Sequence, residues 1–143
     1  MFSPRDYNPA WLVVGDRHAL FYLDMTGDNV QVAALTPGLH VLENRPLTEA
    51  SPKAELFRRR FSAAMSLGGP ELIVELEQML ASHDTPDGVS DVGRPPETNA
   101  ACVHAGIYGT KSSSIIIVPS DSSTPQIRFA DGPPCTTAYR AYR

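Results

Sequence analysis

The spacing of apolar residues changes at Ser51, and this change constrains the fold more than any other feature of the sequence. Before Ser51, short apolar runs are separated by turn residues such as Gly15-Asp16 and Thr26-Gly27, a pattern typical of β-strands. From Ser51 onwards the apolar residues recur every three or four positions, and Pro52 follows the serine as it does at the start of many helices. Strands and helices therefore occupy separate blocks, which predicts an α+β fold.

Four strands are predicted in the first block, at residues 11–14, 17–24, 30–34 and 39–42. Gly15-Asp16 suits a two-residue type II′ hairpin turn between the first two strands, because glycine adopts the positive φ that this turn needs. Thr26-Gly27-Asp28-Asn29 and Pro37-Gly38 supply the next two turns. We expect an antiparallel meander.

Two amphipathic helices are predicted in the middle of the chain. The first runs from Ser51 to Ser66, and Gly68-Gly69 separates it from a second helix that begins at Pro70. Each helix has one apolar face, which must pack against another element, most simply a sheet. Three further strands are predicted at residues 101–107, 113–118 and 126–129. The expected architecture is antiparallel sheet packed against two helices.

Length and loop pattern predict the domain organisation. With 143 residues, the chain has the length of a single domain, over residues 1–143. Residues 84–100 are polar, rich in proline and without periodicity. A loop of this length is usually functional or mobile, so we expect a lid or a poorly ordered segment there rather than core.

Charge and composition exclude several classes of protein. A formal net charge of −4 argues against a nucleic-acid partner, which is bound mainly by neutralising phosphates. No apolar run approaches the ~20 residues that span a bilayer, and the N-terminus lacks the pattern of a signal peptide. Cys102 and Cys135 form neither a disulfide framework nor a Cys-x-x-Cys motif. We therefore expect a cytoplasmic protein with no membrane span.

The histidines and arginines give no strong signal for a ligand. The four histidines lie in separate predicted elements without zinc-type spacing, so the sequence predicts no metal and no cofactor; they are His18, His40, His83 and His104. Arg58, Arg59 and Arg60 point about 100° apart around a helix and are expected to face solvent.

Residues 106–112 superficially resemble a phosphate-binding loop. However, Thr110 separates the glycine from Lys111, and a strand follows instead of a helix, so a nucleotide site is excluded. The hydroxyl residues of this region lack any serine-nucleophile signature; they are Thr110, Ser112, Ser113 and Ser114. Two interpretations stay open: a polar hairpin that leads into a buried strand, or a turn that faces a ligand.

Two segments together carry a family resemblance. They are Leu35 to Leu47 (LTPGLHVLENRPL), followed by Pro52-Lys53, and Tyr108 to Ser113 (YGTKSS). In order and separation they resemble motifs in the C-terminal half of the NRDE family, also called the Transport and Golgi organisation protein 2 family. Residues 6–12 resemble a mid-chain strand of that family, so the likeness covers essentially the whole chain. The departures from the family pattern are Glu43 for serine, Lys111 for arginine, Ser114 for threonine, and no tryptophan before Pro52.

The resemblance implies the αββα sandwich of N-terminal-nucleophile hydrolases, of which this chain would supply the second part. The nucleophile of such folds is the residue exposed at the mature N-terminus, and removal of Met1 would expose Phe2, which has no nucleophilic atom. We therefore expect a non-catalytic binding or intracellular trafficking protein, with haem as the ligand that the family resemblance suggests. The alternative is the C-terminal half of an amide hydrolase whose nucleophile lies upstream or on another chain.

The resemblance also implies partners and site residues. A small-molecule ligand, either haem or an amide substrate, is expected, together with self-association or pairing with a missing N-terminal half. Asn44 would donate to an oxyanion if that half is present; alternatively, it ends a strand and bonds its own backbone before Pro46. Lys111 would face a substrate carboxylate, and His40 and His104 are candidate haem ligands. The candidate binding residues are Tyr108, Thr110, Lys111, Ser112 and Ser113.

Overall fold

The computed structural model describes residues 3–88 and 93–142. These residues form two α-helices and three antiparallel sheets, which confirms the α+β class. The chain divides into two compact units, residues 1–50 and residues 51–143. No helix in the described ranges has the length and apolar character to cross a membrane. The single domain over residues 1–143 and the αββα sandwich stay predictions.

The first unit contains a three-stranded meander. Its strands are β1 (Trp11–Gly15), β2 (Leu20–Asp24) and β3 (Gln31–Leu35), and β2 lies in the centre. Tyr22 is buried, and its hydroxyl accepts a hydrogen bond of 3.2 Å from the backbone N–H of Leu47. This bond attaches the segment that follows the sheet to the central strand.

The β1–β2 connection is longer than the two-residue turn that the sequence predicts. Gly15 pairs with Leu20, so four residues connect the strands. The Asp16 carboxylate accepts hydrogen bonds from the N–H groups of His18 (2.7 Å) and Ala19 (3.0 Å). These bonds stabilise a four-residue loop in place of the predicted two-residue type II′ turn. They also lower the pKa of Asp16.

The fourth strand predicted at residues 39–42 is wrong. The chain turns at Gly38, where φ is +149°, and His40 Nε2 then lies 2.8 Å from the carbonyl oxygen of Thr36. This local bond folds the segment back on itself instead of along β3. Beyond it, Glu43 and Arg45 form an isolated bridge, with Asn44 between them.

Two helices open the second unit, as predicted. They are α1 (Pro52–Ala64) and α2 (Gly69–Ala81). Ser51 Oγ caps α1 by accepting a hydrogen bond of 3.2 Å from the N–H of Ala54, which satisfies a donor that the first turn leaves unpaired. Phe57 of α1 and Met79 of α2 are buried, so the apolar faces point inwards as expected.

The remaining strands form a short hairpin and a three-stranded sheet. The hairpin consists of β4 (His104–Ala105) and β5 (Tyr108–Gly109), and the sheet of β6 (Ser113–Ile117), β7 (Gln126–Ala130) and β8 (Arg140–Tyr142). β6 packs against α2, and Arg128 of β7 forms an ion pair with Glu77 of α2 at 2.6 Å. This unit therefore has antiparallel sheet packed against helix.

Three local features of this unit differ from the sequence expectations. The single strand predicted at residues 101–107 is wrong, because the chain turns at Gly106, where φ is +65°, and forms the hairpin instead. The three-residue strand β8 was not predicted. Within the predicted loop 84–100, residues 89–92 lie outside the described part of the chain, whereas Pro96–Asn99 forms a 3-10 helix. Asn99 and Ala100 are buried, so the end of this segment is core rather than lid.

Candidate metal centre

Four side chains with metal-binding atoms meet in the second unit: His83, Cys102, His104 and Cys135. One such atom of each residue lies within 4.8 Å of all the others. The Sγ atoms of Cys102 and Cys135 are 3.5 Å apart. The Nε2 atom of His104 is 3.1 Å from Cys135 Sγ and 3.7 Å from Cys102 Sγ. We call these four residues the donor cluster.

Three separate segments carry the donor cluster. His83 follows the end of α2, and the carbonyl oxygen of Ser82 accepts a hydrogen bond of 2.9 Å from the N–H of Cys102. Cys102 and His104 lie two residues apart, immediately before and within β4. Cys135 lies in a turn between β7 and β8, in which the Pro133 carbonyl oxygen accepts hydrogen bonds from two following N–H groups. Backbone hydrogen bonds therefore fix the segments that carry His83, Cys102 and Cys135 without the help of a bound ion.

The His83 ring is fixed by a further bond. Its Nδ1 atom lies 2.8 Å from the carbonyl oxygen of Cys102, and only a protonated nitrogen can donate to that oxygen. The neutral imidazole then keeps a lone pair on Nε2. The rings of His83 and His104 lie beside one another, with centroids 5.2 Å apart. Both imidazoles can therefore offer a nitrogen to the same ion.

The electrostatics of the donor cluster are set by the burial of Cys102. Its side chain is fully buried, and burial raises the pKa of the Cys102 thiol, because a thiolate loses hydration there. Cys135 is partly exposed, and both cysteines are free thiols. A cation bound between them would offset the cost of the buried charge. Two thiolates with two imidazoles are a donor set that zinc prefers in proteins.

The candidate binding residues of the sequence analysis lie beside this cluster along the chain. Tyr108 belongs to β5, and Lys111 and Ser112 follow it with exposed side chains. Thr110 Oγ1 instead accepts a hydrogen bond of 2.9 Å from the buried Val103 N–H, and Ser113 Oγ accepts one of 2.5 Å from the Tyr139 hydroxyl. Three of the five candidates therefore face solvent, and two hold the local structure.

The glycine of the same segment has a packing role. A Cβ atom on Gly109 would lie 2.8 Å from the carbonyl oxygen of Val103, closer than side-chain carbons approach a backbone oxygen. That carbonyl accepts a hydrogen bond of 3.0 Å from the N–H of Thr110. Glycine followed by threonine therefore allows β5 to lie against the segment that leads into β4.

Two other candidates from the sequence, Asn44 and His40, lie in the first unit. Asn44 is exposed, and its role as an oxyanion donor stays a prediction. His40 Nε2 is engaged with the Thr36 carbonyl oxygen, so as a haem ligand it would first have to give up that bond. His104 has its Nε2 directed at sulfur atoms.

The family model for Transport and Golgi organisation 2 matches residues 3–130. The chain belongs to this family. No curated protein and no solved structure matches it. In this Transport and Golgi organisation 2 family member, the motif at residues 35–47 lies in the first unit and the Tyr108 to Ser113 motif in the second. Cys135 lies beyond the matched residues, so the donor cluster is not contained within the family match.

The sequence predicts no metal site, because the histidines lack zinc-type spacing and the two cysteines form no Cys-x-x-Cys pair, so the donor cluster was missed. Cys102 and His104 form a Cys-x-His pair, which is a local signal of two donors on one segment. His83 lies 19 residues before Cys102, and Cys135 lies 31 residues after His104. Neither interval is typical of a zinc motif, so only the fold reveals that all four residues meet.

Proposed function

We propose that this member of the Transport and Golgi organisation 2 family is a non-catalytic binding domain. Its ligand would combine an apolar ring system with a carboxylate, the chemistry of the haem class that the family resemblance implies. The observation that carries the proposal is the exposed surface formed by Ile107, Tyr108 and Lys111. We call this surface the hairpin tip.

The hairpin tip offers three kinds of contact. Ile107 is fully exposed and Tyr108 is 55% exposed, so both can bury apolar area against a flat ligand. Lys111 is exposed and can pair with a carboxylate at the rim of that ligand. Ile107 lies in the turn between β4 and β5, Tyr108 begins β5, and Lys111 follows that strand by two residues.

The hydroxyl groups of Thr110 and Ser113, beside this surface, do not suit nucleophilic catalysis. An activated serine or threonine needs a general base within hydrogen-bond reach. Thr110 Oγ1 receives the Val103 N–H, and Ser113 Oγ receives the Tyr139 O–H. The Thr110 hydroxyl also donates to the Ala101 carbonyl oxygen at 3.4 Å, so both hydroxyls are engaged within the fold, which supports binding rather than hydrolysis.

Titration of the full chain with haemin and with iron-free protoporphyrin tests the proposal. Both ligands have the same ring and carboxylates, but only haemin offers iron for coordination. We expect saturable binding of both, and Lys111→Gln should weaken it about two- to fivefold, because one ion pair contributes up to about 1 kcal/mol. Arg59→Gln removes a charge from the exposed side of α1 and should leave the affinity unchanged.

Other outcomes of this titration contradict the proposal. Binding of haemin but not protoporphyrin would mean that donor atoms, such as those of His104 or His40, capture iron without recognition of the ring. Equal losses in Lys111→Gln and Arg59→Gln would reflect net charge alone. Hydrolysis of an amide substrate that Asn44→Ala abolishes would establish the enzyme alternative.

Two further expectations belong to the same proposal. A cytoplasmic location would keep Cys102 and Cys135 reduced, and fractionation of cells that express the tagged protein tests it. Self-association is supported by one face of the first sheet, whose apolar side chains are largely exposed. This sheet face consists of Leu12, Val14, Phe21, Leu23, Val32 and Ala34.

A further inference from the structure

We propose that the donor cluster is a structural zinc site, in which His83, Cys102, His104 and Cys135 bind one Zn²⁺ tetrahedrally. The proposal does not depend on the ligand-binding role of the hairpin tip. It rests on the distances between the donor atoms, on the bonds that orient them, and on the small size of the core around them.

Two of three donor–donor distances lie within the range of a tetrahedral zinc site, and the third, 3.1 Å, is slightly shorter. With Zn–S near 2.3 Å and Zn–N near 2.0–2.1 Å, neighbouring donors of a tetrahedral site lie about 3.3–3.8 Å apart. The observed separations are 3.5 Å between the two sulfur atoms and 3.1 and 3.7 Å from His104 Nε2 to each sulfur. These three atoms form one face of the tetrahedron. The donor atom of His83 lies within 4.8 Å of each of them, a wider limit than that edge, so the ring would move closer to form the fourth vertex.

The surrounding bonds are those that metal sites use to orient their ligands. A histidine that binds zinc through one nitrogen usually donates its other N–H to a carbonyl or carboxylate oxygen. His83 Nδ1 has this relation to the Cys102 carbonyl oxygen, at 2.8 Å. The N–H of the same cysteine donates a hydrogen bond to the Ser82 carbonyl oxygen, which holds Cys102 in place. Two ligands of the proposed site therefore hold one another in place.

The number of donors favours a structural ion. Four protein ligands complete a tetrahedral zinc shell, whereas a catalytic zinc keeps one position for water or substrate. A disulfide is the competing use of the two cysteines. It would join sulfur atoms about 2.05 Å apart, whereas the observed separation is 3.5 Å, and it would leave the convergence of both histidines without a role.

The core of the second unit explains what such an ion would contribute. Many of its buried apolar residues are small, including Ala54, Ala64, Ala100 and Ala130. Such residues bury little apolar area, so a bound ion would add stability that this core does not supply by itself. An ion at the donor cluster would connect the end of α2, the start of β4 and the turn before β8. Zinc would thus act as a cross-link between segments distant in the chain.

Metal titration of the reduced full chain tests the proposal. Co²⁺ added to the chelator-treated protein should give the visible absorption of a tetrahedral thiolate complex at one ion per chain, and one equivalent of Zn²⁺ should remove it. Cys135→Ser is the primary variant, because Cys135 is partly exposed and its replacement spares the core. We expect its affinity to fall by about 100-fold or more, beyond the loss caused by changes outside the ligand shell.

Matched controls keep the test independent of folding. His18→Ala removes an exposed histidine of the first unit and should bind Co²⁺ like the wild type. Zn²⁺ should raise the unfolding temperature of wild type and His18→Ala, but not that of Cys135→Ser. Absence of thiolate absorption in the folded, reduced wild type, or equal affinity in Cys135→Ser, would overturn the zinc site. The hairpin tip contributes no donor atom to the zinc site, so either proposal can fail while the other stands.

Discussion

At the scale of single residues, Thr110 shows that a segment resembling a family motif can serve the fold rather than a ligand. Its side chain accepts the Val103 N–H at 2.9 Å, and its own N–H bonds to the Val103 carbonyl oxygen at 3.0 Å. Val103 is buried, so no solvent can replace the hydroxyl. The conformation of the hairpin tip therefore depends on Thr110, even though only its neighbours are exposed.

We predict that Thr110→Val destabilises the protein by about 1–3 kcal/mol, because the buried Val103 N–H loses its acceptor while the side-chain shape is kept. Thr110→Ser retains the oxygen and should cost clearly less. Urea unfolding followed by far-UV circular dichroism measures both. Equal effects of the two substitutions would show that the hydroxyl does not support the hairpin.

At the scale of elements, the loop between β1 and β2 depends on the absence of a side chain at one position. A Cβ atom on Gly15 would lie in severe overlap with the Ala19 carbonyl oxygen and 2.9 Å from Leu20 Cα. Gly27, in the next turn, has nothing within 4 Å of such an atom. Gly15 is therefore required by its close contacts, and Gly27, which has none, serves as the matched control.

We predict that Gly15→Ala destabilises the first unit by about 1–3 kcal/mol, since backbone must move to admit the methyl group. Gly27→Ala should be neutral or stabilising by up to about 1 kcal/mol, because it restricts the unfolded chain. Fluorescence of Trp11, the single tryptophan, reports unfolding of β1 in urea. Similar stabilities of the two variants would contradict the close approach at Gly15.

The contact between α2 and β7 includes an ion pair between Glu77 and Arg128. The atoms are 2.6 Å apart, and both side chains are about two-thirds buried or more; the arrangement is that of a close ion pair rather than of a linear hydrogen bond. Glu55 and Arg58 form a comparable pair at 3.0 Å on the exposed side of α1. Burial is the main difference between the two pairs.

We predict that a double-mutant cycle to alanine gives a coupling of about 1 kcal/mol for Glu77 and Arg128, and about 0.3–0.5 kcal/mol for Glu55 and Arg58. The outer pair should weaken more in high salt, because solvent ions screen exposed charges. Chemical unfolding at low and high salt provides the measurement. A coupling near zero for the inner pair would mean that it does not join helix to sheet.

The sequence predicted those elements that are specified locally. Helix α1 was predicted from Ser51 and Pro52, because a cap and a first-turn proline act within four residues of one another. The β4–β5 hairpin was missed, because its strands have two residues each and its turn depends on a glycine within an apolar run. The donor cluster could not be predicted, because His83 and Cys135 approach Cys102 only through the packing of three segments.

At the scale of the whole molecule, the sheet face of the first unit is the surface best suited to binding a partner. Val32 in its outer strand is 62% exposed, and its neighbours across the sheet are also apolar. Contiguous apolar surface on a β-sheet usually marks an interaction site. The same sheet face on a second copy of the chain can cover it, because apolar side chains would then pack against apolar side chains.

We predict that the chain associates in sedimentation equilibrium and that Val32→Lys shifts it to monomer, because the charge would be buried in the contact. Val74→Lys changes another exposed valine, on α2, and should leave association intact. A wild-type chain that stays monomeric at high concentration would contradict the proposed self-association.

Anomalous X-ray diffraction from crystals of the reduced protein grown with Zn²⁺ tests the zinc site by locating the ion itself. We expect one peak at the zinc edge, about 2.3 Å from the sulfur atoms of Cys102 and Cys135 and about 2.0–2.1 Å from a nitrogen of His83 and of His104. Density without that peak, or a bond between the two sulfur atoms, would contradict it.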